Sequence, residues 1–252
     1  MTARSPRYLE VAATLDREIR DLAPNSLLPT EQQLAKRFSL SRVTVRAALD
    51  LLERNGQVTR LRGRGTIVSP PKITRRFFPW HSLEQDLTEQ GIEYETRVLL
   101  YDPAAEPADF VRQRLNLGPG DTVGSLSLVR LVDDRIVCHE HRHYPPGLAG
   151  RLDPEDIVNR DASMVVEDLA GASIRDIDWE TEIISAPERV AEAMDIAPRI
   201  LVVANTYLWL GDAGVPLEAG VISYRIDRCK FSYKTRFDRR ADTPKDRASG
   251  SE

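Results

Sequence analysis

The chain has 252 residues, of which 41% are apolar, and this is enough to build the cores of a small and a larger domain. No apolar stretch has the length of a signal peptide or a membrane span, so we expect a cytoplasmic protein with no membrane partner. The two cysteines, Cys138 and Cys229, show neither metal-ligand spacing nor a disulfide framework, and no cofactor is expected.

The charge is distributed unevenly along the chain. Residues 1–76 contain 15 Lys and Arg residues against 7 Asp and Glu residues, a balance of +8. Because the whole chain carries −4, residues 77–252 hold −12. A basic N-terminal segment joined to an acidic body is typical of a tethered nucleic-acid-binding module.

The N-terminal segment is predicted to contain an amphipathic packing helix over about residues 8–22, followed by two further helices. Thr30 is expected to cap the second helix, with Gln33 three residues later as its capping-box partner, and this helix ends near Phe38. Ser41 is expected to cap the third, which runs to Asn55. On this third helix the apolar residues recur at helical spacing and face inward, so its first turn directs polar side chains outward. In a helix-turn-helix that turn reaches bases and phosphates in the major groove.

A basic hairpin follows, with predicted strands over residues 58–61 and 66–68. Two glycines at its tip allow positive φ and a close approach of the backbone to DNA. A solvated basic hairpin without function is the alternative interpretation. The tip consists of Arg62, Gly63, Arg64 and Gly65.

The stretch LPTEQQLAKRFSLSRVTVRAALDLLERNGQVTRLRGRGTIV resembles the winged helix-turn-helix of the GntR family of bacterial transcription regulators. In family members an arginine often follows the Pro-x-Glu sequence, whereas this chain has Gln32, which weakens one expected contact. The resemblance implies DNA contacts from the start of the third helix and from the wing. The expected DNA-binding residues are Gln32, Ser41, Arg42, Thr44, Arg46, Arg62, Gly63, Arg64 and Gly65.

The remainder of the chain contains an internal duplication. LNLGPGDTV (Leu115–Val123) corresponds to MDIAPRILV (Met194–Val202) at an offset of 79 residues. Each copy follows a helix opened by a proline and precedes a long strand, a tight turn and a return strand. Before the first copy, Ser82 is expected to cap a short helix. Such units predict an α+β fold with a mixed or antiparallel sheet, flanking helices and a ligand cleft.

Residues 77–235 are similar to the ligand-sensing (UTRA) domain of the HutC-like branch of the same family, which shares its fold with chorismate lyase. The matching segments include SLEQDLTEQG, LNLGPGD, DIAPR and GVPLEAGVISYRIDRCKF. The expected organisation is a DNA-binding domain over 1–69, a linker over 70–77, an effector-sensing and dimerisation domain over 78–238 and a disordered tail over 239–252.

Glu140 and Glu218 occupy equivalent positions in the two return strands, at an offset of 78 residues. They are interpreted as acceptors for hydroxyl, amide or amine groups of an effector, with surface or rim carboxylates as the alternative. Arg130 is the expected cation of the same pocket, and Tyr224 is a further candidate. The family often has a second arginine where this chain has Leu128, so a phosphosugar effector is less expected.

His139, His141 and His143 alternate on one strand and therefore share one face. Alternating histidines can bind zinc or copper and can titrate near neutral pH. No cysteine or carboxylate at convincing spacing joins them, so a solvated strand face is the preferred interpretation and no metal is expected.

These patterns together predict a metabolite-responsive repressor that binds palindromic operator DNA as a homodimer and is released by a small-molecule effector. The first alternative is an effector-independent dimeric regulator of the plasmid or transfer-control type. The second is a lyase-like enzyme, but the sequence offers no nucleophile–base set, phosphate loop or metal motif.

Overall fold

The computed structural model describes residues 6–61, 63–76 and 81–234, and its N-terminal part is a group of helices followed by a β-hairpin. The helices pack around their apolar faces, where Leu34, Val45 and Leu49 are fully buried. This confirms the inward face that the spacing of the third helix predicts. The elements are α1 (Arg7–Ile19), α2 (Glu31–Phe38), α3 (Arg42–Arg54), β1 (Val58–Leu61) and β2 (Gly65–Val68).

Local capping residues determine where α2 and α3 begin. The Thr30 hydroxyl accepts a hydrogen bond from the backbone N–H of Gln33 at 3.3 Å, and the Gln33 side chain accepts one from the Thr30 N–H at 2.8 Å. Ser41 Oγ accepts from the Thr44 N–H at 3.2 Å. Gly56 follows α3 with a φ of 72°, the left-handed conformation that commonly ends a helix. The capping box and helix ends are therefore as predicted.

The C-terminal part is built on a six-stranded antiparallel sheet within the described residues. The helices of this part are α4 (Leu83–Glu89), α5 (Asp109–Arg114), α6 (Pro146–Ala149), α7 (Pro154–Asn159), α8 (Ala162–Ala170) and α9 (Glu188–Ala193). The strands after the hairpin are β3 (Ile73–Arg76), β4 (Glu95–Ala105), β5 (Val123–Val132), β6 (Arg135–Tyr144), β7 (Asp176–Ser185), β8 (Leu201–Leu210), β9 (Pro216–Arg225) and β10 (Cys229–Ser232). The order of the strands in the sheet is β4-β5-β6-β9-β8-β7.

The duplication is visible in this sheet. The unit β4-α5-β5-β6 is repeated as β7-α9-β8-β9, and the return strands β6 and β9 pair at the centre, where Glu140 lies opposite Ile222. The repeated segments also share a backbone feature, because Asn116 and Asp195 have positive φ values of 53° and 48° just after their helices. The repeated strand–helix–hairpin unit predicted from the sequence is thus confirmed.

Helices cover both faces of the sheet and form separate apolar clusters. The main cluster joins α4, α6, α7 and α8 to one face, with Leu87, Leu126 and Ile157 fully buried. On the opposite face α5 and α9 form two smaller clusters around Val111 and Met194. Among the helices that the structure describes, none has the length and apolar character needed to cross a bilayer.

The segment expected to be a linker contains a strand. Within residues 70–77, β3 pairs in parallel with β10, and Ile73 lies opposite Cys229. Ile73 is 3% exposed and belongs to the main cluster of the C-terminal part, so burial of an apolar side chain holds this segment to the sheet domain. Phe77 and the expected tail, 239–252, lie outside the described residues.

Candidate DNA interface and ligand cleft

The first turn of α3 presents two cationic side chains to solvent. Val45 is buried in the core, whereas the side chains of Arg42 and Arg46 are 64% and 55% exposed. The hydroxyls of Ser41 and Thr44 lie 2.9 Å apart at the same helix end. Guanidinium groups beside a helix N-terminus form a surface suited to phosphates and base edges.

Glu31, in the first turn of α2, holds Arg46 in place. Its carboxylate accepts hydrogen bonds from Arg46 Nη2 at 2.7 Å and from Arg46 Nε at 3.1 Å, and it lies 3.8 Å from Arg60 Nη2. The hydrogen bond from Arg46 is the main cause that lowers the pKa of Glu31. Gln32 is exposed next to it. Glu31 was not identified from the sequence, although its place beside Gln32 at the start of α2 was available as a signal.

The wing is the β1–β2 hairpin. Gly63 and Gly65 have φ values of 74° and 99°, and at Gly63 a Cβ would meet no atom of the described chain within 4 Å. The backbone of the tip is therefore open to a partner. Arg64 is exposed at the tip, and Arg62 lies outside the described residues. Arg60 pairs with the carboxylates of Asp50 and Glu53 on α3.

A cleft of about 560 Å³, including its open mouth, lies on the face of the sheet covered by α4 and α8. Side chains of β6 and β9 line its floor, residues at the starts of α4 and α8 supply polar walls, and two tryptophans supply apolar surface. The lining residues are Arg75, His81, Ser82, Leu83, Glu84, Glu140, Arg142, Asp161, Ala162, Ser163, Trp179, Trp209, Ile222 and Tyr224.

Only two of the four expected effector residues line this cleft. All four are buried, but Glu140 and Tyr224 border the cleft, whereas Arg130 and Glu218 do not. Direct contact of Arg130 and Glu218 with a ligand is therefore at odds with this geometry. The alternative of surface or rim carboxylates is also wrong for the two glutamates, which are 1% and 0% exposed. The strand alternation correctly predicted the face of the sheet on which the two glutamates lie, but it did not predict that they are buried.

Buried arginines and carboxylates form a continuous chain of ion pairs beneath the cleft. Glu140 accepts from Arg130 Nε at 3.1 Å and from Arg142 Nε at 2.8 Å. Arg142 Nη1 donates to Glu218 at 2.9 Å, and Glu218 also accepts from the Tyr207 hydroxyl. Charges buried in this way need partners, because isolated ones are strongly destabilising.

The two glutamates have opposite pKa shifts. Burial alone would raise the pKa of Glu140, but the charges of Arg130 and Arg142 outweigh it and lower the pKa to about 2. Burial raises the pKa of Glu218 to about 7, and the single guanidinium of Arg142 does not compensate for it. Glu140 is therefore an anion at neutral pH, whereas the pKa of Glu218 lies near neutrality.

Further polar and aromatic groups of the cleft were not identified from the sequence. Asp161 caps α8 and accepts from the backbone N–H of Ser163 at 2.9 Å. Arg75 donates to the Tyr224 hydroxyl at 3.3 Å, and the guanidinium of Arg142 lies 5.6 Å from the ring centre of Trp209. The alternation of Glu140, Arg142 and Tyr144 was the available signal for Arg142, since Arg142 shares the face of Glu140.

The histidine strand differs from the expectation of a solvated face. His139 and His143 are each 5% exposed, because α5 and α9 cover this side of the sheet. Ser127 Oγ lies 2.8 Å from His139 Nε2. Burial lowers the pKa of His141 to about 3 and that of His143 to about 4, which argues against pH sensing near neutrality. Across the described residues no group of three or more His, Cys, Asp or Glu is arranged to hold a metal ion.

The fold and these two surfaces define a DNA-binding regulator in which a winged helix-turn-helix is joined to an α+β ligand-binding domain. The chain belongs to the GntR family: residues 7–68 match the model of bacterial regulatory proteins of the gntR family, and residues 89–230 match the UTRA domain. It is thus a DNA-binding transcriptional regulator with an effector-binding domain, and its family consists of regulators rather than enzymes.

Individual relatives agree with this assignment. The chain is 30% identical over 231 residues to the HTH-type transcriptional repressor NagR of Bacillus subtilis, covering 90% of this chain and 93% of the relative. It is 30% identical over 146 residues to the mannosyl-D-glycerate transport/metabolism system repressor MngR of Escherichia coli, covering 57% and 60%. The crystal structure of PhnF from Mycobacterium smegmatis shares the fold, with 23% identity, a TM-score of 0.60 and coverage of 90% and 100%.

Proposed function

We propose that the protein is a cytoplasmic repressor that binds a palindromic operator as a homodimer and leaves it when a small-molecule effector enters the cleft. The observation that carries the proposal is the combination, in one chain, of an exposed cationic reading surface on α3 and a polar, aromatic-walled cleft in the sheet domain. One winged module contacts too little DNA for selectivity, and a dimer doubles the half-sites.

In this proposal Arg42, Thr44 and Arg46 contact the major groove, while the wing approaches the backbone or the minor groove. The exposure of the two arginines and the open backbone at Gly63 support these roles. Ser41, Gln32, Arg62, Arg64 and Gly65 complete the proposed interface. The hydrogen bonds from Arg46 to Glu31 support a fixed orientation of that arginine before DNA arrives.

The effector is proposed to bind between Glu140, Tyr224 and the aromatic walls, with Arg130 and Glu218 acting from behind through their ion pairs. A physical route to the DNA-binding part runs through β3. Arg75 of β3 lines the cleft and donates to Tyr224, and the same segment continues back to the wing strand β2. An effector that displaces Arg75 can change the orientation of the DNA-binding domain. It does so only if the effector binds one orientation of that domain more tightly than the other.

The proposal is tested by measuring binding of the full-length protein to its own promoter fragment, with random DNA as competitor and with a panel of metabolites. We expect selective binding by a dimer and its loss with at least one metabolite that also raises the melting temperature. Equal binding to promoter and random DNA at moderate salt would refute the regulator as proposed. Given the assignment of MngR to a mannosyl-D-glycerate system, glycosides belong in the panel.

An effector-independent regulator is the second candidate, and one observation favours it. Arg75, Arg130 and Arg142 are already paired with carboxylates of the chain, so these charges are neutralised without a ligand. In that case no metabolite would raise the melting temperature or release DNA, while dimerisation and operator binding would persist.

A further inference from the structure

The buried cation of the cleft, Arg130, is fully committed to partners within the protein. Its Nε donates to Glu140 at 3.1 Å, its Nη1 donates to the hydroxyl of Thr96, and its Nη2 lies 2.5 Å from Glu84 Oε1. The contact with Glu84 is a close charge pair without the alignment of a hydrogen bond. An ionic contact of this kind is the one that an anionic ligand could replace.

Glu84 stands between Arg130 and the cleft. It lies in the first turn of α4, two residues after the capping Ser82, and it lines the cleft, whereas Arg130 does not. A guanidinium group is a favourable partner for a phosphate or carboxylate. Here a carboxylate of the chain is already paired with it.

Most charged groups around the cleft are paired with one another. Arg75 is paired with Asp86, and Arg142 with Glu140 and Glu218. Asp161 adds a carboxylate on the wall of the cleft, and its hydrogen bonds from Ser163 help to keep its pKa low, against the effect of burial. The cations are Arg75, Arg76, Arg130 and Arg142, and the carboxyl groups are Glu84, Asp86, Glu140, Asp161 and Glu218, the last of which has a pKa of about 7.

We propose that Glu84 is the internal counter-anion of the cleft: it neutralises Arg130, repels anionic effectors and thereby restricts the site to a polyhydroxylated or amino compound without a phosphate or carboxylate group. This inference rests on the proposed role of the cleft as the effector site. Donors of such a compound meet Asp161 and Glu84, and its apolar face packs on Trp179 or Trp209.

The test removes the charge of Glu84 and uses inorganic sulfate and phosphate as probes. Glu84→Gln keeps the shape of the side chain but removes the negative charge that neutralises Arg130 and repels anions from the cleft. Glu188→Gln is the matched control, because Glu188 is also a first-turn glutamate, on α9, and is exposed. We expect Glu84→Gln to bind either anion about tenfold more tightly than wild type by calorimetry or thermal shift, and the control to match wild type.

Equal anion affinity in Glu84→Gln and wild type, or the same gain in the control, would overturn the role of Glu84. If Glu84→Gln does not fold, the role of Glu84 is tested on the wild-type protein. Its binding to a panel of compounds is then compared between the phosphorylated and the unphosphorylated form of each compound. Stabilisation by the unphosphorylated members supports the inference, and stronger binding of a phosphorylated member contradicts it. If no compound releases DNA although the variant gains anion binding, the sensor function fails while the assignment of Glu84 stands.

Discussion

The buried carboxyl of Glu218 makes a specific prediction about stability and pH. Its pKa is about 7 in the folded protein, against an ordinary value of 4.5, because burial disfavours the charged form. The folded state therefore binds this proton more tightly than the unfolded state. The resulting stabilisation is fully present below about pH 4.5 and is lost as the pH rises through about 7.

The magnitude follows from the size of the shift. One pKa unit corresponds to about 1.4 kcal/mol, so the shift of Glu218 represents about 3 kcal/mol in total, of which about 2–3 kcal/mol is lost between about pH 5 and about pH 8. Glu218→Gln removes the titration while keeping an acceptor for Arg142 and Tyr207. We expect the variant to gain stability relative to wild type by this amount across that interval.

The assay is urea unfolding of both proteins at several pH values, compared as a difference curve. Glu182→Gln serves as the control, because Glu182 is exposed on the edge strand β7. The difference in unfolding free energy between this variant and wild type should not change with pH. If the stabilities of Glu218→Gln and wild type run parallel from about pH 5 to about pH 8, the buried carboxyl does not titrate in this range and the reasoning is wrong.

Three further predictions address the DNA surface, the ion-pair chain and the histidines. Arg46→Ala should weaken operator binding by about 1–3 kcal/mol and reduce the salt dependence of the affinity. The control is Arg20→Ala, which replaces another exposed arginine and should leave operator binding unchanged. Unchanged binding of the Arg46 variant in a mobility-shift titration would show that Arg46 does not belong to the interface. Glu140→Gln should abolish the response to effector while sparing operator binding, and a normal response would show that the cleft has been misassigned. Because the pKa of Glu140 is lowered, its stabilisation is present above pH 4.5 and lost as the pH falls towards 2, so the variant should also lack this acid sensitivity in melting curves. His141 should stay neutral from about pH 5 to about pH 8, and an NMR titration with a midpoint near its ordinary value of 6.5 would contradict its burial.

Features that depend on neighbouring residues were predictable. The capping box of Thr30 and Gln33 and the cap at Ser41 depend on groups three residues apart, so the sequence contains the whole interaction. The duplication was equally accessible, because each half repeats the same order of helix, strand and turn. Alternation along β6 correctly separated Glu140 and Arg142 from the histidines.

Features that depend on burial were not predictable with the same success. His139 and His143 look like a solvated row until α5 and α9 are packed over them. Arg130 and Glu218 have suitable charges for ligand contact, but their depth beneath the cleft depends on α4 and on neighbouring strands that are distant in the chain. Desolvation depends on the packing of the whole domain, so it cannot be predicted from the residue pattern of a short segment.

Chain order and composition by themselves determined a basic helix-turn-helix with a wing and a duplicated α+β domain, because helical and strand periods and caps are local. Only the tertiary structure decided which charges meet. It placed Glu84 against Arg130 and Glu31 against Arg46, and it separated cleft residues from those buried beneath them. Coulomb interactions and desolvation depend on distances in space, and these exist only once the chain has folded.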